Sequence, residues 1–183
     1  LASQIGQHPF FWDAGQRISF LCEFSDRLET DDETKMLAVE QGASRIVGTA
    51  WDAHLHEDLV INVQKYRTYD PASIRDLLRL IRNKHHHFDE LSDELKTHVL
   101  ISKTDGLMEY FDGLFPEMLM HCYHMAGELF AGDALLEKYA ILVRPATETN
   151  CAEESATSAT NVPVIIEEEG CNGHGNHYAG DTG

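Results

Sequence analysis

The segment from Tyr66 to Phe88 constrains the fold of this chain most, because its apolar side chains recur every three or four positions. The apolar stripe consists of Ile74, Leu77, Leu78 and Ile81. That spacing places them on one face of an α-helix, which must be buried against other elements. Asp70 followed by Pro71 provides an acidic N-cap and a proline at the first helical position, so the helix is predicted to begin there.

The same helical period continues along the chain to about residue 130. Trp51 is expected to anchor a less regular stretch to the core. No segment alternates apolar and polar residues as a half-buried strand does. The sequence therefore predicts an all-α fold, a compact single helical domain. Further helices are predicted within residues 18–28, 36–39, 59–66, 107–115 and 119–126.

The chain is strongly acidic, with a net charge of −17, but the charge is unevenly distributed. Six of the 14 basic residues fall between Lys65 and Lys84, where only Asp70 and Asp76 oppose them. A positive patch on an acidic domain attracts anions to one place. Residues 145–183 contain seven acids and no Lys or Arg, and their composition predicts a disordered acidic tail.

The cysteine and hydropathy patterns place limits on the cellular context. The four cysteines form no CxxC pair, which favours free thiols in a reducing compartment. No apolar run approaches the roughly 18 residues of a membrane span. Because the sequence begins at Leu1 rather than Met, it is expected to be a fragment of a longer protein, with any membrane anchor outside it.

The polar face of the predicted basic helix suits a phosphodiester. Arg75, Arg79 and Arg82 share one face at spacings of four and three, and Asn83 and His87 form an adjacent stripe. Guanidinium groups bind phosphate oxygens in pairs of hydrogen bonds, and imidazole transfers protons near neutral pH. The alternative is an ordinary solvated helix face.

A metal site is the second alternative for the histidines. Adjacent helical residues diverge by about 100°, so His85, His86 and His87 cannot all bind one ion without a break in the helix. His121 and His124 share a face at a spacing that suits zinc, but no acids or paired cysteines lie at metal-binding spacing beside them. The sequence therefore predicts no metal.

Three motifs in this order carry a family resemblance: HPFFW at residues 8–12, KYRTYDPASIRDLLRLIRNKHHHF at 65–88 and LFPEMLMHCYH at 114–124. They resemble the kinase-extension nuclease domain. That domain ends the inositol-requiring kinase/endoribonuclease, which senses unfolded proteins in the endoplasmic reticulum, and it also occurs in RNase L. The resemblance covers about residues 8–130 and is closer to the stress sensor.

The resemblance implies RNA cleavage in which the 2′-hydroxyl attacks its own phosphate, without a metal, leaving a 2′,3′-cyclic phosphate and a 5′-hydroxyl. His87 matches the general acid, and Tyr69 matches the general base or the group that orients the 2′-hydroxyl. Arg82 and Asn83 match the pair that holds the scissile phosphate. Additional substrate-binding candidates are Lys84, Arg79, Arg75 and His86.

The resemblance also implies a domain order and partners. Residues 1–11 would end a kinase C-lobe, residues 12–132 would form the nuclease domain, and residues 133–183 would be a mostly disordered extension. The expected substrate is an RNA stem-loop, with no DNA and no direct membrane contact. A homodimer or higher oligomer on the cytosolic face of the endoplasmic reticulum is expected. The nuclease would need no cofactor, and ATP or ADP with magnesium would belong to the kinase.

Two other functions remain open at this stage. A non-catalytic RNA-binding or dimerisation module of the same fold would keep the basic face without turnover. A metal-dependent phosphohydrolase would need a divalent ion for cleavage.

Overall fold

Helix α1 is the element against which most of the domain packs. The computed structural model describes residues 7–142, and the regular elements in that range are all helical, which confirms the predicted all-α fold. The α-helices are α1 Ala14–Thr30, α2 Glu33–Glu40, α3 Ala43–Ile46, α4 Glu57–Gln64, α5 Ile74–His86, α6 Asp105–Leu114, α7 Met118–Leu129 and α8 Ala134–Lys138. A π-helical turn spans Leu95–Val99, and 3-10 turns span Pro9–Phe11, Trp51–His54 and Phe88–Glu90.

The predicted division at residues 11 and 132 stays a prediction. Packed structure continues past residue 132, because α8 and the residues after it bury Leu135, Leu136 and Ile141 against the core. The predicted disordered tail, residues 145–183, lies outside the described residues. None of the helices described is long and apolar enough to cross a bilayer.

Helix α1 begins with a capping box and buries one face in the core. The Asp13 carboxylate accepts a hydrogen bond from the Gln16 backbone N–H at 2.7 Å, and the Gln16 side chain accepts one from the Asp13 N–H at 3.2 Å. Phe20 and Phe24 are completely buried, and Trp12 meets Phe20 edge to face with ring centroids 5.3 Å apart. This aromatic contact fixes the start of α1 within the core.

Helix α5 lies beside α1, and its predicted apolar stripe is buried as expected, with Ile74, Leu77 and Ile81 at 0% exposure. The predicted start at Asp70-Pro71 is wrong, because Ser73 is the N-cap. Its hydroxyl accepts from the Asp76 N–H at 3.1 Å, while Asp70 closes a turn instead.

A carboxylate from α2 completes the start of α5. Glu40 accepts hydrogen bonds from the Ser73 hydroxyl at 2.6 Å and from the backbone N–H groups of Ile74 and Arg75 at 2.9 and 3.0 Å. The first N–H groups of a helix lack partners within it, and a negative charge there also complements the helix dipole. Glu40 therefore fixes where α5 begins.

Ion pairs join the polar face of α5 to α1. Glu29 accepts hydrogen bonds from Arg75 at 3.1 and 3.3 Å and two more from Arg79, which also donates to Asp76 at 2.8 Å. Desolvation raises the pKa of Glu29, but the hydrogen bonds from Arg79 and Arg75 outweigh it and lower the pKa to about 2. We call Glu29, Arg75 and Arg79 the arginine clamp.

The clamp predicts a specific acid sensitivity. Because the folded-state pKa of Glu29 lies below its usual 4.5, its contribution is present above pH 4.5 and is lost as pH falls towards 2. Glu29→Gln should lower the free energy of unfolding at neutral pH by about 1–3 kcal/mol. The same variant should lose less free energy of unfolding than the unaltered chain as pH falls from 4.5 towards 2, measured by urea denaturation at each pH. The exposed Glu109→Gln serves as the matched control, and an unchanged pH dependence in Glu29→Gln would contradict the role of the clamp.

Candidate active site

An open cavity of about 280 Å³ lies where the loop before α5 meets the end of that helix. Tyr69 comes from the loop, Asn83 and Lys84 from the last turn of α5, and His87 from the residue that ends it. The structure therefore brings four of the predicted site residues together around one space. Other residues lining the cavity are Asn62, Val63, Tyr66, Arg67, Glu90 and Leu91.

Tyr69 is positioned by Trp51, the predicted core anchor. Trp51 is 2% exposed, its indole N–H donates to the Asp70 carbonyl at 3.1 Å, and its backbone N–H donates to the Pro71 carbonyl at 2.9 Å. The Tyr69 ring meets the Trp51 ring edge to face, 6.1 Å between centroids. The Asn83 amide donates to the Tyr69 hydroxyl at 2.9 Å, so loop and helix are joined at the cavity.

Two cations give the cavity its positive charge. Lys84 is buried, its ammonium donates to the Asn62 side chain, and desolvation lowers the pKa of that ammonium. The Arg67 guanidinium lies 5.8 Å from the centre of the Tyr69 ring. An anion entering the cavity would meet both charges at short range.

His87 is exposed where α5 ends. Its backbone N–H donates to the Asn83 carbonyl at 2.9 Å, as in the helix. The next residue, Phe88, is buried, so the chain turns towards the core directly after His87. Nδ1 of the imidazole lies 2.8 Å from a Glu90 carboxylate oxygen. With Nδ1 engaged by Glu90, Nε2 is the ring nitrogen left to exchange a proton with a substrate.

The three arginines of α5 lie away from this cavity lining. Arg82 donates to Asp26 of α1 at 2.6 Å, and Arg75 and Arg79 are held in the arginine clamp. Arg75 and Arg79 line a separate groove together with the acids Glu33, Glu40, Asp70 and Asp76. Their predicted contact with substrate stays a prediction, as does that of Arg82.

His85 and His86 differ in exposure, although their rings are 5.7 Å apart between centroids. His85 is partly buried and turns towards Cys22 of α1, whereas His86 is exposed. Burial, followed by the charges of His86 and Lys103, lowers the pKa of His85. Of the two, only His86 was a predicted substrate-binding residue, and neither lines the cavity.

The predicted alternative of a zinc site at His121 and His124 gains no third ligand within residues 7–142. His121 is buried, and its Nε2 lies 2.8 Å from the Val39 carbonyl oxygen. A hydrogen bond of that kind joins α7 to α2 and accounts for His121 as a core residue.

Sequence reasoning missed Arg67, Glu90 and Asn62 as lining residues. Arg67 lies two positions before Tyr69, and Glu90 lies three positions after His87. The proximity of each to a predicted site residue was the available signal. Asn62 comes from α4 and offered no local signal, because its contact with Lys84 spans 22 positions.

The fold and cavity define a helical domain whose open site is lined by an imidazole, a phenol, an amide, two cations and one carboxylate. The ribonuclease 2-5A family matches residues 17–140, which is more than half of the chain. The chain therefore belongs to the ribonuclease 2-5A family, and the predicted resemblance to the kinase-extension nuclease domain is confirmed.

Several full-length proteins are similar to this chain. The "Sensor for unfolded proteins in the ER ire1" of Schizosaccharomyces pombe is 35% identical over 72% of the chain and 13% of that protein. The human "Serine/threonine-protein kinase/endoribonuclease IRE2" is 37% identical over 75% of the chain and 15% of that protein. The "Probable serine/threonine-protein kinase ireA" of Dictyostelium discoideum is 39% identical over 63% of the chain and 12% of that protein. The chain thus spans only a small part of the length of these relatives.

Proposed function

We propose that this chain is a metal-independent endoribonuclease domain that cleaves RNA stem-loops by transesterification. The supporting observation is that Tyr69 and Asn83, joined by a 2.9 Å hydrogen bond, line the same cavity as His87. An acid, a proton acceptor and fixed positive charge around one phosphate are sufficient for this reaction.

In the proposed step the 2′-oxygen forms a bond to the adjacent phosphorus, and the bond from phosphorus to the 5′-oxygen breaks. Tyr69 acts as the phenolate: it orients the 2′-hydroxyl, accepts its proton and becomes the neutral phenol, while the Asn83 amide donates a hydrogen bond to the same oxygen. His87 donates a proton from Nε2 to the departing 5′-oxygen, and Glu90 holds the imidazole through Nδ1. The products are a 2′,3′-cyclic phosphate and a 5′-hydroxyl. DNA lacks the attacking hydroxyl and is not a substrate.

Arg67 and Lys84 are placed to neutralise the phosphate from within the cavity. Arg82, the match to the family's phosphate-binding arginine, would first exchange its Asp26 partner for a phosphate oxygen. The Asp26 side chain is 57% exposed, and ion pairs at such positions contribute only about 0–1 kcal/mol. The exchange is therefore energetically accessible on RNA binding.

The wider biological role follows from the relatives named as kinase/endoribonucleases and as a sensor of unfolded proteins. In this proposal the chain is the C-terminal effector of a stress-sensor kinase in the unfolded protein response, on the cytosolic face of the endoplasmic reticulum. The kinase binds ATP or ADP with magnesium and drives the nuclease domains into dimers or larger assemblies. Unpaired loop bases are where proteins read RNA sequence, which suits a stem-loop substrate.

The general-acid assignment predicts the behaviour of one variant. His87→Ala should reduce kcat for stem-loop cleavage by about 10²–10⁴-fold, because a positioned acid or base contributes that much. Cleavage by the unaltered chain, assayed at concentrations that favour association, should persist in EDTA. Gel separation of end-labelled RNA measures the cleavage rate of the variant and the cleavage by the unaltered chain in EDTA.

His98→Ala, at an exposed histidine of the π-helical turn, is the control and should cleave normally. Full activity in His87→Ala would contradict the assignment. A strict need for a divalent ion would favour a metal-dependent phosphohydrolase. RNA binding without cleavage would favour the non-catalytic module.

Glu90 is predicted to act as a positioning residue through His87. Glu90→Gln should lower kcat about tenfold and leave KM within twofold, because it disturbs the imidazole and not the phosphate contacts. Asp89→Asn changes the neighbouring acid of the same turn and should leave both parameters unchanged. A rise in KM at constant kcat would instead assign Glu90 to substrate binding.

A further inference from the structure

Three metal-binding side chains come together between α1 and the last turn of α5, outside the cavity. Cys22 Sγ lies 3.9 Å from His85 Nδ1, and the rings of His85 and His86 are 5.7 Å apart between centroids. One ligand atom from each residue lies within 4.8 Å of the other two. Within residues 7–142 no other three His, Cys, Asp or Glu side chains converge in this way.

The exposure of the three side chains increases from the core to the solvent. Cys22 is buried, His85 is partly buried and His86 is exposed. An ion could therefore approach from the exposed His86 side and reach the buried sulfur. The outer position would remain open to water.

We propose that Cys22, His85 and His86 bind one zinc ion, with water as the fourth ligand. One thiolate and two imidazoles match the preference of zinc for sulfur and nitrogen ligands in tetrahedral geometry. Zinc–sulfur and zinc–nitrogen bond lengths imply ligand atoms about 3.3–3.6 Å apart. Cys22 Sγ and His85 Nδ1 lie 3.9 Å apart, and the ligand atom of His86 lies within 4.8 Å of both, so rotations of the His85 and His86 side chains would bring the three atoms to bonding distance of one ion.

Coordination would change the state of the thiol. Burial, reinforced by Asp26 and opposed by Arg82, raises the pKa of the Cys22 thiol to about 12, so without a metal it stays protonated. A bound zinc ion displaces that proton to solvent, forms the zinc–sulfur bond and supplies the positive charge that the buried thiolate lacks. The neighbouring acids Glu23 and Asp26 are paired with Lys138 and Arg82, so the thiolate itself supplies the negative charge that the ion meets.

The zinc ion would join α1 to the last turn of α5 through the two residues that directly precede His87. It takes no part in the proposed cleavage step, so RNA cleavage in EDTA and zinc binding are independent results. The zinc proposal can fail while the ribonuclease proposal stands, and the reverse also holds.

Cobalt(II) titration tests the site, because a cobalt–thiolate bond has a near-ultraviolet charge-transfer band. The full chain carrying Cys151→Ser and Cys171→Ser is used with a non-thiol reductant, so that Cys22 and Cys122 are its only thiols. One equivalent of cobalt should produce the band, and zinc should remove it. Cys22→Ser should abolish the band, and Cys122→Ser, which removes a buried thiol of α7, should retain it.

His86→Asn provides a second test that leaves the core intact, because His86 is exposed. Loss of an outer-shell partner already weakens metal binding about 10–100-fold, so loss of this direct ligand should weaken zinc binding at least about tenfold. His98→Asn should bind zinc normally. Zinc at a hundredfold excess over Kd should raise Tm by about 5–10 °C, except in Cys22→Ser.

Three results would overturn the proposal. The first is cobalt binding without a charge-transfer band, as expected for histidines of the tail. The second is a band that survives Cys22→Ser. The third is a zinc affinity unchanged by His86→Asn.

Discussion

The carboxylate of Glu29 determines how the basic helix α5 is used. It holds Arg75 and Arg79 against α1, and Asp26 one turn earlier holds Arg82. These charges are paired at the junction of the two helices, where unpaired guanidinium groups would be costly to desolvate. Asn83 and Lys84, further round the same helix, face the cavity instead. One helix thus carries both the ion pairs of the fold and the residues of the site.

Much of the fold could be predicted because the helical period of apolar residues is a local signal. The stripe from Ile74 to Ile81 follows from it, whereas Trp51 was predicted as the anchor of a stretch that lacks this period, and it too is buried. The start of α5 could not be predicted, because Glu40 reaches its first N–H groups from 34 positions earlier. Local rules made Asp70-Pro71 the better start, and a tertiary contact moved it to Ser73.

The site could be predicted in part for the same reason. Spacing and family resemblance together selected Tyr69, Asn83, Lys84 and His87, which the structure places around one cavity. Helical spacing correctly put the arginines on one face, but it carries no information on what that face meets. Their partners Asp26 and Glu29 lie 46 to 56 positions earlier in the chain, on α1. The charge of the arginines alone could not show whether they pair with carboxylates of the fold or with phosphates of the substrate.

The central claim is that the cavity containing Tyr69, Asn83 and His87 cleaves RNA through the 2′-hydroxyl of the substrate. End-group analysis of a stem-loop RNA cleaved in EDTA tests this most directly, with a matched RNA carrying a single 2′-deoxy substitution at the scissile nucleotide. We expect a 2′,3′-cyclic phosphate and a 5′-hydroxyl from the natural RNA and no cleavage of the substituted one. Products with a 3′-hydroxyl and a 5′-phosphate, or cleavage at the deoxy position, would contradict the claim.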